Sequence, residues 1–276
     1  MNRTSKILLF SLATILSSIL YSCNTPQKES NKENDLTFES ESFSDSTLFT
    51  FEGKQLSCHF NGSIELPIEG DRSYDLKKIS SIIKELYYKN IDSPIDSLSK
   101  EKFLEFDNYF NEMIEFKKKN NEEIDLFETR FEHSRNLYIA YNRNQLLSIG
   151  VVQYDYTGGA HGYESENYLN LDLLGYDTLT INRLFETGSS ESIKNIIFET
   201  LLKRYKVSSL DELNEVGFFN ISEIGLSENF KLENDSLQFI YNQYEIAPYS
   251  MGRIKVKLSY KDLSPYIRDE YKLRFI

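Results

Sequence analysis

Apolar and polar residues alternate in nine short runs between residues 37 and 258, and this alternation limits the fold more than any other feature of the sequence. Alternation with a period of two predicts strands that bury one face. Runs of this kind occupy residues 37–41, 48–51, 55–60, 63–68, 137–141, 147–151, 169–173, 237–241 and 254–258. Much of the chain is therefore expected to form short strands.

Helical spacing interrupts the strands in two blocks. In the first block, apolar residues recur every three or four positions from Leu76 to Tyr87 and again from Phe103 to Ile114. The second block is a helix at 190–205, and a short helix at about 263–271 follows the last strand. Because the helices are grouped and do not alternate with strands, we predict an α+β fold of antiparallel β-sheets with helices packed on one side. We expect two sequential modules, an N-terminal α+β module at 37–143 and a C-terminal one at 144–276.

The first 23 residues have the pattern of an export signal. Arg3 and Lys6 precede a mostly apolar stretch from 7 to 19, which is too short for a stable membrane span. The following segment Leu20-Tyr21-Ser22-Cys23 resembles a bacterial lipobox, in which the cysteine thiol receives a diacylglycerol and the chain is cut before it. We therefore expect a lipoprotein signal peptide at 1–23 and lipidation at Cys23. The alternative is an ordinary signal peptide with a chance cysteine.

Lipidation determines where the rest of the chain resides. Two or three acyl chains, at roughly 0.8 kcal/mol for each buried CH₂, hold a protein on a bilayer without a spanning helix. Residues 24–36 are mostly polar and charged, which predicts a solvated tether between lipid and fold. The expected location is the bacterial cell envelope, lipid-anchored, either in the periplasm or at the surface.

The charge of the chain restricts its partners. The sequence carries 31 basic and 43 acidic residues, and removal of Arg3 and Lys6 with the signal leaves a net charge of −14. This balance argues against a nucleic-acid binder, which needs clustered Lys and Arg. With Cys23 lipidated, Cys58 has no partner for an intramolecular disulfide. Its alternating context predicts a small buried residue, and a reactive thiol is the alternative.

The motifs of common catalytic sites are absent from the sequence. His59, His133 and His161 are far apart, and the chain has neither H-E-x-x-H nor C-x-x-C, so no metal or cofactor is expected. A G-x-S-x-G elbow and a Walker-type loop are also missing. With 43 carboxylates, the sequence cannot nominate a glycosidase pair. The chain is therefore interpreted as a protein without catalytic activity.

The most unusual local sequence is the glycine-rich segment Tyr156 to Gly162, which joins two predicted strands. Its three glycines permit positive φ angles and a close approach of other groups. His161 could act as a general base oriented by Asp155 or Glu164, could contact a ligand, or could fix the loop by hydrogen-bonding its backbone. A phosphate cradle is disfavoured because a strand follows, not a helix.

Two segments carry a resemblance to a known family. The first contains Tyr156-Thr157-Gly158-Gly159-Ala160-His161-Gly162 and is followed by Leu169-Asn170-Leu171-Asp172 and Leu184-Phe185. The second is Tyr244-Glu245-Ile246-Ala247-Pro248-Tyr249-Ser250-Met251-Gly252. Together they resemble the extracytoplasmic RsiV-like domain family, whose best-known member is the lysozyme-sensing anti-sigma-V factor. The region before residue 140 is similar to the module that usually precedes this domain and that also occurs beside peptidoglycan deacetylase domains.

The resemblance implies an extracytoplasmic binding domain, and it transfers no catalytic residue. In the sensor the ectodomain binds lysozyme, which makes lysozyme or another cationic protein the leading expected partner of this acidic chain. An anti-sigma role is not expected, because a lipobox replaces the cytosolic segment and membrane span. The rival hypothesis is a hydrolase or carbohydrate-binding protein directed at peptidoglycan or glycan. The candidate ligand-binding residues are Tyr156, Thr157, Gly158, Gly159, His161 and Tyr249.

Overall fold

The computed structural model describes residues 35–51, 54–88, 95–122 and 130–275, all within one compact unit. The predicted signal peptide, Cys23 and residues 24–34 of the predicted tether lie outside this part. A six-stranded sheet follows the chain order from β1 to β6. Its strands are β1 (Leu36–Phe51), β2 (Lys54–Gly70), β3 (Arg130–Arg143), β4 (Leu146–Tyr156), β5 (Tyr163–Asp172) and β6 (Asp177–Thr178).

Two helices connect β2 to β3 and cover one face of this sheet. They are α1 (Leu76–Tyr88) and α2 (Ile95–Asn120). From α1, Ile79 and Ile83 pack on Leu137 and Ile149 of the sheet. The predicted apolar face of α1 is thus confirmed. This crossover makes β2 and β3 parallel, whereas the sheet's other neighbouring strands pair antiparallel as expected.

A second, three-stranded antiparallel sheet lies in the C-terminal half. It consists of β7 (Phe230–Leu232), β8 (Ser236–Tyr241) and β9 (Ile254–Ser259), with β8 in the centre. Five helices accompany it: α3 (Ile181–Leu184), α4 (Ser190–Tyr205), α5 (Leu210–Val216), α6 (Tyr260–Leu263) and α7 (Asp269–Phe275). The largest apolar core joins β8 and β9 to α4, and Tyr141 and Leu146 of the first sheet reach into it.

These elements confirm the α+β class. Besides the parallel pairing of β2 with β3, they differ from the predictions in two further places. The four runs expected between 37 and 68 are two long strands, because β1 and β2 pair as one hairpin from Leu36–Gly70 to Phe51–Lys54. The C-terminal helix expected at about 263–271 is two helices. Residues 264–268 between them are not α-helical, and Ile267 forms an isolated β-bridge with Phe185. The expected module boundary at 143/144 falls at the turn of the β3–β4 hairpin, within the first sheet.

None of the helices in the described ranges combines the length and the apolar character needed to cross a bilayer.

Candidate functional site

The glycine-rich segment forms the connection between β4 and β5. Gly158 and Gly159 have φ angles of 92° and 87°, in the region that favours glycine, as the sequence predicted. A Cβ added to Gly162 would lie 2.5 Å from the ring of Tyr154, so only glycine fits there without displacement. The hydroxyl of Tyr156 donates a 2.9 Å hydrogen bond to the Gly159 carbonyl. The loop is therefore held in one shape by its own residues.

The side chain of His161 extends from this loop and contacts Tyr249, which lies in the segment from Tyr244 to Gly252. Its imidazole stacks on the ring of Tyr249, with centroids 3.7 Å apart and planes 12° from parallel. The ring centroid of Tyr244 lies 6.2 Å from that of Tyr249, and Tyr244 is 51% exposed. Tyr244 also has a positive φ of 67°, which is uncommon for a residue other than glycine. We call His161, Tyr244 and Tyr249 the aromatic loop surface.

A buried ionic cluster lies beside the aromatic loop surface. Its centre is Glu166, whose side chain is 5% exposed and contacts Lys255 and Arg253. Arg253 also pairs with Glu164 at 2.7 Å. Burial alone would raise the pKa of Glu166, but hydrogen bonds from Lys255 and Tyr168 and the charges of Lys255 and Arg253 hold it below its usual range. Glu166 is therefore ionised and fully engaged in holding β5 to β9.

Side-chain amides complete the edge of β5 next to this cluster. The backbone N–H groups of Glu164, Glu166 and Tyr168 donate to Gln243, Asn242 and Asn229, at 3.1, 2.8 and 2.9 Å respectively. Asn229 returns a 2.7 Å hydrogen bond to the Glu166 carbonyl. These bonds fix β5, and hence the loop that precedes it, against the second sheet.

Neither carboxylate proposed to orient His161 does so. Asp155 hydrogen-bonds Nδ1 of His133, and Glu164 pairs with Arg253. His161 instead donates from Nδ1 to the Gly162 carbonyl at 3.2 Å. This geometry matches the loop-fixing alternative for His161, while its exposed ring leaves it able to contact a ligand. The structure therefore does not show the carboxylate contact that a general-base role for His161 was expected to use.

The His133–Asp155 pair was missed by the sequence analysis. His133 is 1% exposed and stacks on Phe60, with centroids 5.0 Å apart. The two residues stand opposite each other in the β3–β4 hairpin only because of a register shift between Ile139 and Tyr141, which the sequence does not signal.

Two chemical possibilities that the sequence raised are a reactive thiol at Cys58 and a metal site. Cys58 is fully buried, as predicted, and burial raises the pKa of its thiol to about 12, which disfavours the reactive thiolate. Within the described residues, no group of three or more His, Cys, Asp or Glu side chains could hold a metal ion.

Two regions of the chain are similar to known protein families. Residues 182–261 match the family described as a protein of unknown function, DUF3298, and residues 69–164 match the family described as deacetylase PdaC. The aromatic loop surface draws His161 from the second region, and Tyr244 and Tyr249 from the first. No curated protein sequence matches the chain.

Solved structures show the same fold. A DUF3298-family protein from Bacteroides fragilis is similar over 87% of this chain and 97% of its own, with 22% identity and a TM-score of 0.71. A DUF3298-family protein from Pseudomonas aeruginosa is similar over 85% of this chain and 96% of its own, with 16% identity and a TM-score of 0.57. At these identities the similarity concerns the fold alone.

Proposed function

We propose that this protein is a non-catalytic, lipid-anchored binding module of the bacterial cell envelope, and that its aromatic loop surface contacts a cationic protein such as lysozyme. The observation that carries this proposal is the stack of His161 on Tyr249. It joins the two segments that resemble the RsiV-like family into one partly exposed surface. The DUF3298 and PdaC matches are consistent with a binding or glycan-related module.

The composition of this surface suits a basic partner. The rings of His161, Tyr244 and Tyr249 offer flat area and cation–π contacts to Lys or Arg side chains. Glu164 lies next to them with its side chain 40% exposed, and the net charge of −14 expected after cleavage would accelerate encounter with a basic protein. Aromatic anchors of this kind carry a large share of the binding energy at protein interfaces.

The test is calorimetry of the full chain with a basic lysozyme at increasing salt. Contacts made only by charge would disappear at about 0.3 M salt, where the Debye length is below 10 Å, whereas a complex with buried rings should persist in weakened form. Tyr249→Ala should then reduce affinity at least about tenfold. Phe116→Ala, which removes a ring 60% exposed on α2, is the matched control and should leave affinity unchanged. Absence of heat at low salt would remove lysozyme as the partner.

The rival hypothesis is a glycan-directed hydrolase or carbohydrate-binding protein. Assays of glycan turnover and glycan capture distinguish it from a protein-binding module. Exposed aromatic rings also stack on the apolar faces of sugars, which keeps this second function open at the same surface. Loss of glycan turnover in His161→Ala would favour the hydrolase, and salt-independent capture of glycan without turnover would favour the carbohydrate-binding protein.

A further inference from the structure

An open groove of about 430 Å³ lies between the loop that follows α5 and the connection from β8 to β9. One wall is formed by residues of the segment 219–227, and the other by Tyr241, Glu245 and Ile246. A 2.9 Å hydrogen bond from the Phe219 N–H to the Ile246 carbonyl joins the two walls. The volume falls within the range of roughly 300–1,000 Å³ that is usual for ligand sites.

The apolar side chains of this groove can be reached from solvent. Phe219 is 45% exposed, and Ile224 and Leu226 on the same wall are half-buried. Tyr241 and Ile246 are buried members of the largest apolar core, against which Ile224 and Leu226 pack. A ligand would therefore contact Phe219, Ile224 and Leu226, while the core residues support them. Exposed apolar patches with a polar rim are typical of interaction sites.

The groove and its surroundings carry only negative charge. Its two carboxylates, Glu223 and Glu245, are both exposed, and among the residues that the structure describes no lysine or arginine lines it. The flanking sequence strengthens this field, because residues 207–230 contain five acidic and no basic residues, and residues 242–252 contain one acidic and no basic residue. Such a field attracts cations and repels anions.

Main-chain groups are also available along the first wall. Ile224 has an extended backbone, and the residues from Ile224 to Ser227 lie outside the helices and strands. In the described part of the chain, the N–H groups of Gly225 and Leu226 have no hydrogen-bond acceptor. A Cβ added to Gly225 would meet nothing within 4 Å, so another backbone can approach it closely. Extended peptides are recognised by main-chain hydrogen bonds of this kind together with contacts to their side chains.

We propose that this groove binds a short peptide segment that carries both basic and apolar side chains. Its apolar side chains pack on Phe219, Ile224 and Leu226, its lysine or arginine side chains pair with Glu223 and Glu245, and its backbone bonds the free N–H groups. The groove accommodates a few residues and not a folded domain. This inference does not rest on the function proposed above, because none of these residues belongs to the aromatic loop surface.

The test is fluorescence anisotropy of a labelled peptide of about eight alternating lysine and leucine residues, titrated with the full chain at low salt. Saturable binding is expected. A peptide with serine in place of leucine lacks the apolar contacts and should have a Kd about tenfold higher or more. A peptide with glutamate in place of lysine reverses the charge and should not bind.

Two variants locate the apolar contact. Phe219→Ala removes the most exposed ring of the groove and should raise the Kd of the lysine–leucine peptide about fivefold or more. Phe116→Ala, which removes a ring 60% exposed on α2, is the matched control and should change the Kd by less than about twofold. Both side chains are exposed, so both variants are expected to fold.

A second pair of variants separates local charge from total charge. Glu223→Gln/Glu245→Gln should raise the Kd about threefold or more, because each exposed pair with a lysine contributes modestly. Glu112→Gln/Glu115→Gln neutralises two exposed carboxylates on α2 and changes the net charge by the same amount. It should change the Kd by less than about twofold.

Tyr249→Ala distinguishes this groove from the aromatic loop surface and should leave binding of the peptide unchanged. A loss in Tyr249→Ala as large as in Phe219→Ala would place the peptide on the aromatic loop surface and refute the proposal. Absence of saturable binding, equal binding of the serine peptide, or equal effects of the α2 control variants would also overturn it. If the peptide binds but lysozyme does not, only the function proposed above is lost.

Discussion

The imidazole of His161 lies flat on the phenol ring of Tyr249, with ring centroids 3.7 Å apart, and so ties the connection after β4 to the 3₁₀ turn at 249–251 that precedes β9. The loop that carries His161 depends in turn on glycines at positive φ. Contact with a partner and stability of the loop can therefore be separated by choosing which residues to change.

Replacing Gly158 and Gly159 together by Val should destabilise the protein more than His161→Ala. A β-branched residue at φ near +90° costs of order 1–2 kcal/mol at each site, whereas His161→Ala loses a hydrogen bond and a stacking contact worth about 1 kcal/mol each. The measurement is the melting temperature. Gly225→Val is the control, because Gly225 has open space and no positive φ, and it should melt near the wild type. Equal shifts for His161→Ala and the double variant would contradict the loop-fixing role of the glycines.

Arg274 in α7 should be among the most sensitive positions of the C-terminal part. Its guanidinium binds both carboxylate oxygens of Asp172, at 2.9 and 3.1 Å, and the carbonyls of Asn144 and Gln145 at the β3–β4 turn. Arg274→Ala leaves the Asp172 charge buried without its partner and should cost about 3–5 kcal/mol in urea denaturation. Leu273→Ala, at a side chain 93% exposed, should stay within about 0.5 kcal/mol. A similar loss in both variants would show that the pairing contributes little.

Acid should destabilise the second sheet through Glu233. Lys231 and Lys257 contact this carboxylate at 2.6 and 2.7 Å. Burial opposes ionisation, but the hydrogen bonds and charges of the two lysines lower the pKa of Glu233 from 4.5 to about 2. Because the folded-state pKa is lowered, this contribution is present above pH 4.5 and is lost as pH falls towards 2.

The measurement for Glu233 is the free energy of unfolding as a function of pH, compared between wild type and Glu233→Gln. The difference between them should shrink between pH 4.5 and 2, by at most about 3 kcal/mol and by less to the extent that water screens the lysines. Glu215→Gln, at an exposed position of α5, should run parallel to the wild type. A constant difference across this window would mean that Glu233 gains nothing from the lysines.

Cys23→Ser should abolish lipid attachment and leave the chain unprocessed or released from the membrane. The reason is the order of a charged start, an apolar stretch and Leu20-Tyr21-Ser22-Cys23. The measurement is metabolic labelling with a fatty acid, with Cys58→Ser as the control that should still be labelled. Acyl labelling that persisted in Cys23→Ser would refute the lipoprotein hypothesis.

Local patterns were sufficient for much of the fold. The spacing of apolar residues located α1 and α4, and alternation located β3, β4, β8 and β9, because these elements bury one face that the periodicity records. Pairing between distant strands was harder. Alternation cannot tell two long strands from four short ones, and nothing local indicates that β2 and β3 run parallel.

The His133–Asp155 pair shows why one buried interaction was not predicted. If β3 and β4 paired regularly from the turn at Asn144–Gln145, His133 would stand opposite Tyr156. A register shift between Ile139 and Tyr141 moves the pairing by one residue, and Asp155 becomes the partner of His133. Since one inserted residue changes which side chains stand opposite each other, a bulge without a sequence signature determines this pair. The candidates Gly158, Gly159 and His161 needed no such knowledge, because glycine content marked the loop directly.

The side-chain amides of Asn229, Asn242 and Gln243 along β5 affect whether two molecules of this protein can pair through that strand. An open strand edge is a template on which another chain can add a strand. Along this stretch the backbone groups that would recruit such a neighbour are already occupied by side chains of the same molecule. The three amides thus act as a built-in safeguard against self-association, and each one replaced by an aliphatic residue would expose one rung of the ladder.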